Sequence, residues 1–191
     1  MKIKSVEKLS DHQYLNLFSI QYTDRENRNK EHIFASRSQY ANPLEKRKGP
    51  PDAVVVVPFH TKENKLVLIE EYRVALGSYQ YGFPAGLIDK GETVEQAGIR
   101  ELHEETGLTV TRVLKQSPAV FSSSGMTDES VSLLFVHCIG TPTNRFNEAS
   151  EDITVKMVSQ KDALDILDNK DIKIDVKSWI VLNYFADNGN I

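Results

Sequence analysis

The sequence predicts an α/β protein. Three observations carry that expectation: apolar runs of strand length around Ala53 and Leu66, an amphipathic helical stretch in the middle of the chain, and helical spacing of apolar residues near its end. A length of 191 residues suits one compact domain with a small appendage. With 40% apolar and 26% charged residues and ordinary counts of Gly and Pro, collagen-like, low-complexity and largely disordered chains are excluded.

Residues 12–37 read as two strands around a polar turn, with Phe18, Ile20 and Tyr22 alternating on one face and Leu15 and Leu17 on the other. Apolar groups on both faces lead us to expect more than one buried surface. The basic, Pro-rich link PLEKRKGPP, from Pro43 to Pro51, marks a boundary, because paired prolines break regular elements. We therefore expect an N-terminal β region over 1–45 and a second domain over 46–191. Two strands follow, Ala53 to Phe59 and Leu66 to Arg73, the first apolar enough to be central in a sheet.

The stretch GFPAGLIDKGE reads as a loop, and a helix begins after it. Thr93 with Gln96 forms a capping-box pattern, VEQAGIRELHEET supplies the body, and Gly107 suits the left-handed position that ends many helices. Further strands are expected at Leu108 to Lys115 and Val131 to Ile139, with the polar loop SSSGMTDES between them. The tail reads as helical, first in QKDALDIL and then around Trp179, Ile180, Leu182 and Phe185.

No apolar run approaches the roughly 20 residues that cross a bilayer, and the opening residues lack the apolar stretch of a secretory signal, so a cytoplasmic protein is expected. The single Cys138 excludes an internal disulfide and a Cys-rich zinc site and is expected to pack as a small apolar residue. The net charge of −4 is unevenly spread. Lys90 and Arg100 stand against Asp89, Glu92, Glu95, Glu101, Glu104 and Glu105 between residues 86 and 108.

On the central helix, Glu101, Glu104 and Glu105 share one side at spacings of three and four. A solvated acidic face is one reading of them. The other is a set of hard oxygen ligands for Mg²⁺ or Mn²⁺, favoured because no Lys or Arg at i+4 offsets the repulsion and a Gly-rich loop precedes the helix.

Gly86, five residues, Glu92, seven residues and then RELHEETGL from Arg100 to Leu108 resemble a complete Nudix box, matched at each defining position. The stretch EYRVALGSYQYGFPAGLIDKGE further resembles the ADP-ribose pyrophosphatase branch of that family. The resemblance implies an α/β/α sandwich with a mixed sheet and a small N-terminal antiparallel sheet. It also implies a homodimer and divalent-metal-dependent cleavage of the pyrophosphate bond of a nucleoside diphosphate sugar.

ADP-ribose, yielding AMP and ribose 5-phosphate, is the expected substrate, GDP-mannose or another nucleotide sugar is the alternative, and a ligand-sensing domain without hydrolysis is the rival of another class. No nucleic-acid or membrane partner is expected. The resemblance makes Glu101 and Glu105 principal metal ligands, Glu104 a further ligand or holder of metal-bound water, and the Ala85 carbonyl the backbone ligand. Arg100 orients the carboxylates, and Glu92 shares that structural role with Gly86 and Gly107; a solvated Glu92 is the alternative. A glutamate after the box, Glu151 in preference to Glu148, is implied as base or additional ligand, with an exposed acidic loop as the bland reading.

Arg73 resembles an arginine that grips a substrate phosphate, against a rim salt bridge. Tyr14, His32 and Arg37 fall near positions that reach substrate in this branch; otherwise Tyr14 is a core residue and His32 a surface or satisfied histidine. The run Lys46 to Lys48 reads as a solvated turn. One departure concerns the loop after the box, where Ser124 stands at the place of an expected proline.

Overall fold

The computed structural model describes residues 1–38, 42–44 and 49–191. The run from Lys46 to Lys48 and the boundary at 45/46 therefore lie outside the described residues. Strands β1 (Lys2–Lys8), β2 (Asn16–Thr23) and β3 (Asn29–Ser36) come first, followed by β4 (Ala53–His60), β5 (Lys65–Arg73), β6 (Ser78–Gly82) and β7 (Ala85–Leu87). Helix α1 (Val94–Thr106), β8 (Thr109–Gln116), β9 (Val120–Phe121), β10 (Ser130–Ile139), β11 (Ile153–Val158), α2 (Gln160–Asp168) and α3 (Val176–Asn188) complete the order. These elements form two compact units: Met1–Asp52 with Ala119–Val131, and Ala53–Pro118 with Ser132–Ile191.

In the first unit β1, β2 and β3 make an antiparallel sheet in that order. Alternation in β2 puts Phe18 and Ile20 on one face, where they are buried with Phe34 against Val6, Tyr22 and Leu44. The opposite face differs from the expectation of a second buried surface, because Leu15, Leu17 and Ile33 remain about half exposed in this chain. Segment 119–131 joins this unit through Ala35, whose N–H donates to the Met126 carbonyl at 2.8 Å, and through the Ser36 hydroxyl, which donates to Asp128 at 2.9 Å.

In the second unit the mixed sheet runs β11-β5-β4-β10-β8, with β6 added to β5 and β7 to β4. Every residue of β4 is buried, as its continuous apolar run predicts for a central strand. Val54 and Val56 pack with Ala97 and Leu102 of α1, and with Leu134, Val136 and Cys138 of β10. On the opposite face Phe59 meets Phe185 of α3 edge-on at 6.2 Å between ring centres. Helices thus cover both faces of the sheet, the expected α/β/α arrangement. Cys138 is fully buried, and burial pushes its thiol up to about 12.

Candidate active site

The helix carrying the acids is fixed at both ends. Thr93 and Gln96 exchange capping-box hydrogen bonds, and Gly107 closes the C-terminus at φ 70°, a left-handed conformation that glycine tolerates without strain. The sequence-derived bounds of this helix coincide with those observed. Directly before it, β7 pairs with β4, Gly86 opposite Val54 and Ala85 opposite Val55. Pairing holds the loop backbone against the helix, so Glu101 Oε1 lies only 1.9 Å from where a Cβ on Gly86 would be. A methyl group added there would have to displace the Glu101 carboxylate.

The solvated reading of the acids fails for two of the three. Glu101 is 8% exposed and Glu105 5% exposed. Burial is the main cause of the raised pKa of Glu101, with the nearby Glu104 and Glu151 charges adding to it and Arg100 opposing it. Glu105 is raised well above the usual carboxylate range by burial and by the charges of Glu101, Glu71 and Glu151. The N–H of Ala85, donating to Oε2 at 3.2 Å, acts against that rise.

Arg100 ties the elements together. Its Nε and Nη2 grip Glu92 at 3.0 and 2.9 Å, Nη1 donates to Glu101 at 2.7 Å and to Glu104 at 3.0 Å, and Nη2 reaches the Leu87 carbonyl at 3.0 Å. The Arg100 hydrogen bonds, joined by the Asp89 N–H, lower Glu92 to about 2. Glu92 is therefore held as an anion by the guanidinium rather than left solvated.

Among the described residues no three His, Cys, Asp or Glu side chains are already gathered around one point. Arg100 holds Glu101 and Glu104, while Glu105 turns to the Ala85 amide. The donor set nevertheless suits a hard divalent cation. Buried, mutually repelling carboxylates beside a strand backbone are stabilised as anions when such a cation lies among them, and oxygen is the ligand that Mg²⁺ and Mn²⁺ take.

The loop from Gly140 to Asp152 is drawn over α1 by two contacts. Thr143 N–H donates to the Thr106 carbonyl at 2.9 Å, and Phe146 packs on His103 with ring centres 4.6 Å apart. Glu148 and Glu151 lie on this loop, the Glu148 N–H donating to Glu151 Oε2 at 2.8 Å. The Glu151 charge acts on both Glu101 and Glu105. Glu148 is exposed.

Arg73 ends β5, and its Nη1 donates to Glu71 at 2.7 Å. Glu71 carries one signal in the sequence, the parity of β5, which puts it on the same face as Val67 of the core beneath α1. In the first unit Tyr14 is 71% exposed, not a core residue, and Arg37 pairs with Glu129 at 3.2 Å. His32 stacks on Phe34 and lines a cavity of about 280 Å³ with Ile20, Phe121, Ser124, Thr127 and Asp128. Strand β3 and the SSSG loop thus share one hollow, although His32 and Ser124 are far apart in sequence.

The family model for the NUDIX domain matches residues 49–180, and these span α1 with its acids, the preceding loop and Glu151. The chain belongs to the Nudix hydrolase family. A Nudix hydrolase of Caenorhabditis elegans is 36% identical over 140 residues, covering 70% of this chain and 63% of that protein. The Bacillus subtilis ADP-ribose pyrophosphatase is 31% identical over 136 residues, 70% of this chain and 71% of that one.

The ADP compounds hydrolase NudE of Escherichia coli is 46% identical over 77 residues, 38% of this chain and 40% of that one. The match thus spans less than two thirds of the worm and NudE relatives. A crystal structure of an ADP compounds hydrolase shares the fold, with a TM-score of 0.70 at 21% identity over 100% of this chain and 96% of that one. Nudix hydrolases use divalent metal cations.

Proposed function

We propose that this Nudix chain hydrolyses the pyrophosphate bond of a nucleoside diphosphate sugar, ADP-ribose first, to AMP and ribose 5-phosphate, with Mg²⁺ as the ion and Mn²⁺ as a substitute. The observation that carries the metal-dependent reading is the buried Glu105 carboxylate, which feels the Glu101, Glu71 and Glu151 charges and takes a hydrogen bond from the Ala85 amide. The names of the Bacillus subtilis and Escherichia coli relatives support the choice of an ADP compound.

Glu101, Glu105, Glu104 and the Ala85 carbonyl would hold the cation. When bound, it screens the diphosphate, acidifies water and stabilises the leaving phosphate. Arg100, anchored by Glu92, orients the Glu101 and Glu104 carboxylates. Glu151 takes a proton from the attacking water at its carboxylate, in preference to Glu148. Arg73 donates to a phosphate oxygen and so offsets the repulsion between an acidic wall and an anionic substrate.

In this reading region 1–45 pairs with a second copy of the chain and brings Tyr14, His32 and Arg37 toward the nucleotide. The half-exposed Leu15, Leu17 and Ile33 support a partner covering that sheet. Among the described residues no helix is long and apolar enough to cross a membrane. A cytoplasmic location without nucleic-acid or membrane partners completes the proposal.

The test is phosphate release, after phosphatase treatment of products, from ADP-ribose, GDP-mannose, UDP-glucose and dinucleotides with and without Mg²⁺. Preferential Mg²⁺-dependent turnover of ADP-ribose supports the reading. GDP-mannose belongs in the panel because Ser124, which lines the His32 cavity, stands where the ADP-ribose branch is expected to carry a proline. Binding without turnover across the panel replaces the enzyme with a sensing domain.

A further inference from the structure

Glu71 and Arg73 occupy the same face of β5 two residues apart, with the Arg73 Nη1 donating to Glu71 Oε1 at 2.7 Å. The bland account is a surface ion pair of little value, and the 53% exposed Arg73 side chain by itself fits that account. Glu71 does not. Its side chain is 24% exposed, and it sits inside the sheet, opposite Ile153 of β11 on one side and Gln80 of β6 on the other.

The intervening Tyr72, on the reverse face, packs edge-on against Tyr79 at 5.3 Å, and the Tyr79 hydroxyl donates to Asp152 at 2.5 Å. The end of β5 is thereby pinned from behind. Glu71 also adds charge to a wall already crowded with acid, since it is one of the groups acting on Glu105. The Arg73 guanidinium, hydrogen-bonded to Glu71, offsets that added charge.

We infer that Glu71 is a positioning residue for substrate binding: seated in the sheet, it holds one edge of the Arg73 guanidinium so that the other edge faces a phosphate of the nucleotide. This rests on the proposed phosphate-gripping role of Arg73. A planar fork can engage two partners at once along different edges, whereas a lysine ammonium lacks that fixed geometry. Holding the fork before substrate arrives removes part of the ordering entropy from binding.

The experiment measures ADP-ribose turnover and calorimetric binding of ADP with Mg²⁺ for the wild type, E71Q, R73K and the double variant. In E71Q, KM for ADP-ribose and Kd for ADP rise roughly fivefold, while kcat stays within about twofold. In the R73K background E71Q adds no further change, because the fork that it positions is gone. An equal effect of E71Q in both backgrounds, a fall in kcat alone, or an E71Q enzyme identical to wild type overturns the assignment while leaving the hydrolase reading intact. Coupled effects on ADP binding without ADP-ribose hydrolysis sustain the assignment and overturn the proposed substrate instead.

Discussion

The Glu101 carboxylate occupies the space that a side chain on Gly86 would fill, with Oε1 1.9 Å from the position of that missing Cβ. Gly86→Ala therefore moves Glu101, which cannot yield freely because Arg100 holds the same oxygen at 2.7 Å. Under the proposed role of Glu101 in holding the cation, displacing its carboxylate by about 1 Å costs roughly 100-fold in turnover. Steady-state kinetics with ADP-ribose checks this, and circular dichroism separates it from unfolding.

Glu105→Gln abolishes turnover and stabilises the metal-free protein. Burial raises the folded-state pKa of Glu105, so the native state binds more protons than the unfolded chain above the usual carboxylate pKa. Stability contributed by this group falls as pH rises through that raised value. Glutamine removes the cost, and at neutral pH the metal-free variant gains on the order of 1 kcal/mol, or about 3 °C in Tm. Adding Mg²⁺ raises Tm in the wild type and much less in the variant; differential scanning calorimetry reads both effects.

Glu92 has the opposite sign. Its carboxyl is lowered from 4.5 to about 2 by the Arg100 hydrogen bonds, so its contribution is complete above pH 4.5 and is lost as pH falls toward 2. The stability advantage of the wild type over Glu92→Gln should shrink across that interval. Urea midpoints of both proteins at about pH 6 and about pH 3 measure it.

Gly98 is another position where space decides. A Cβ there would lie 2.5 Å from Leu134 Cδ2 and 3.3 Å from Val54 Cγ2. Alanine favours a helix over glycine by about 1 kcal/mol, but overpacking a core costs about 1–3 kcal/mol. The clash wins. Gly98→Ala lowers stability in urea unfolding, and Gly98→Val lowers it further.

The central helix was readable because its cap, apolar side and terminal glycine agree, and β4 because its apolar run is continuous. Strand β1 carries no strand pattern of its own, because KIKSVEK offers only Ile3 and Val6 as apolar residues and gains its place by pairing with β2. Strand β7 reads as loop in the sequence because its glycine signals a close approach that only the neighbouring helix explains. The acids were legible as a family pattern, but the burial of Glu101 and Glu105 was not, since it comes from β7 laid against α1. Glu71 was hidden for a similar reason: a charge at a strand end reads as a rim residue until adjacent strands enclose it. The hollow shared by His32 and Ser124 depends on a contact between distant segments, beyond the reach of any local pattern.

Because the first unit takes in Ala119–Val131 as well as the N-terminal 52 residues, and β10 begins in one unit and ends in the other, no single cut separates the two parts. A gene truncated after the third strand would lose the Met126 carbonyl that Ala35 uses and the Asp128 that receives Ser36. The amino-terminal sheet is therefore not a portable cassette, and swapping it between homologues calls for exchanging the loop before β10 along with it.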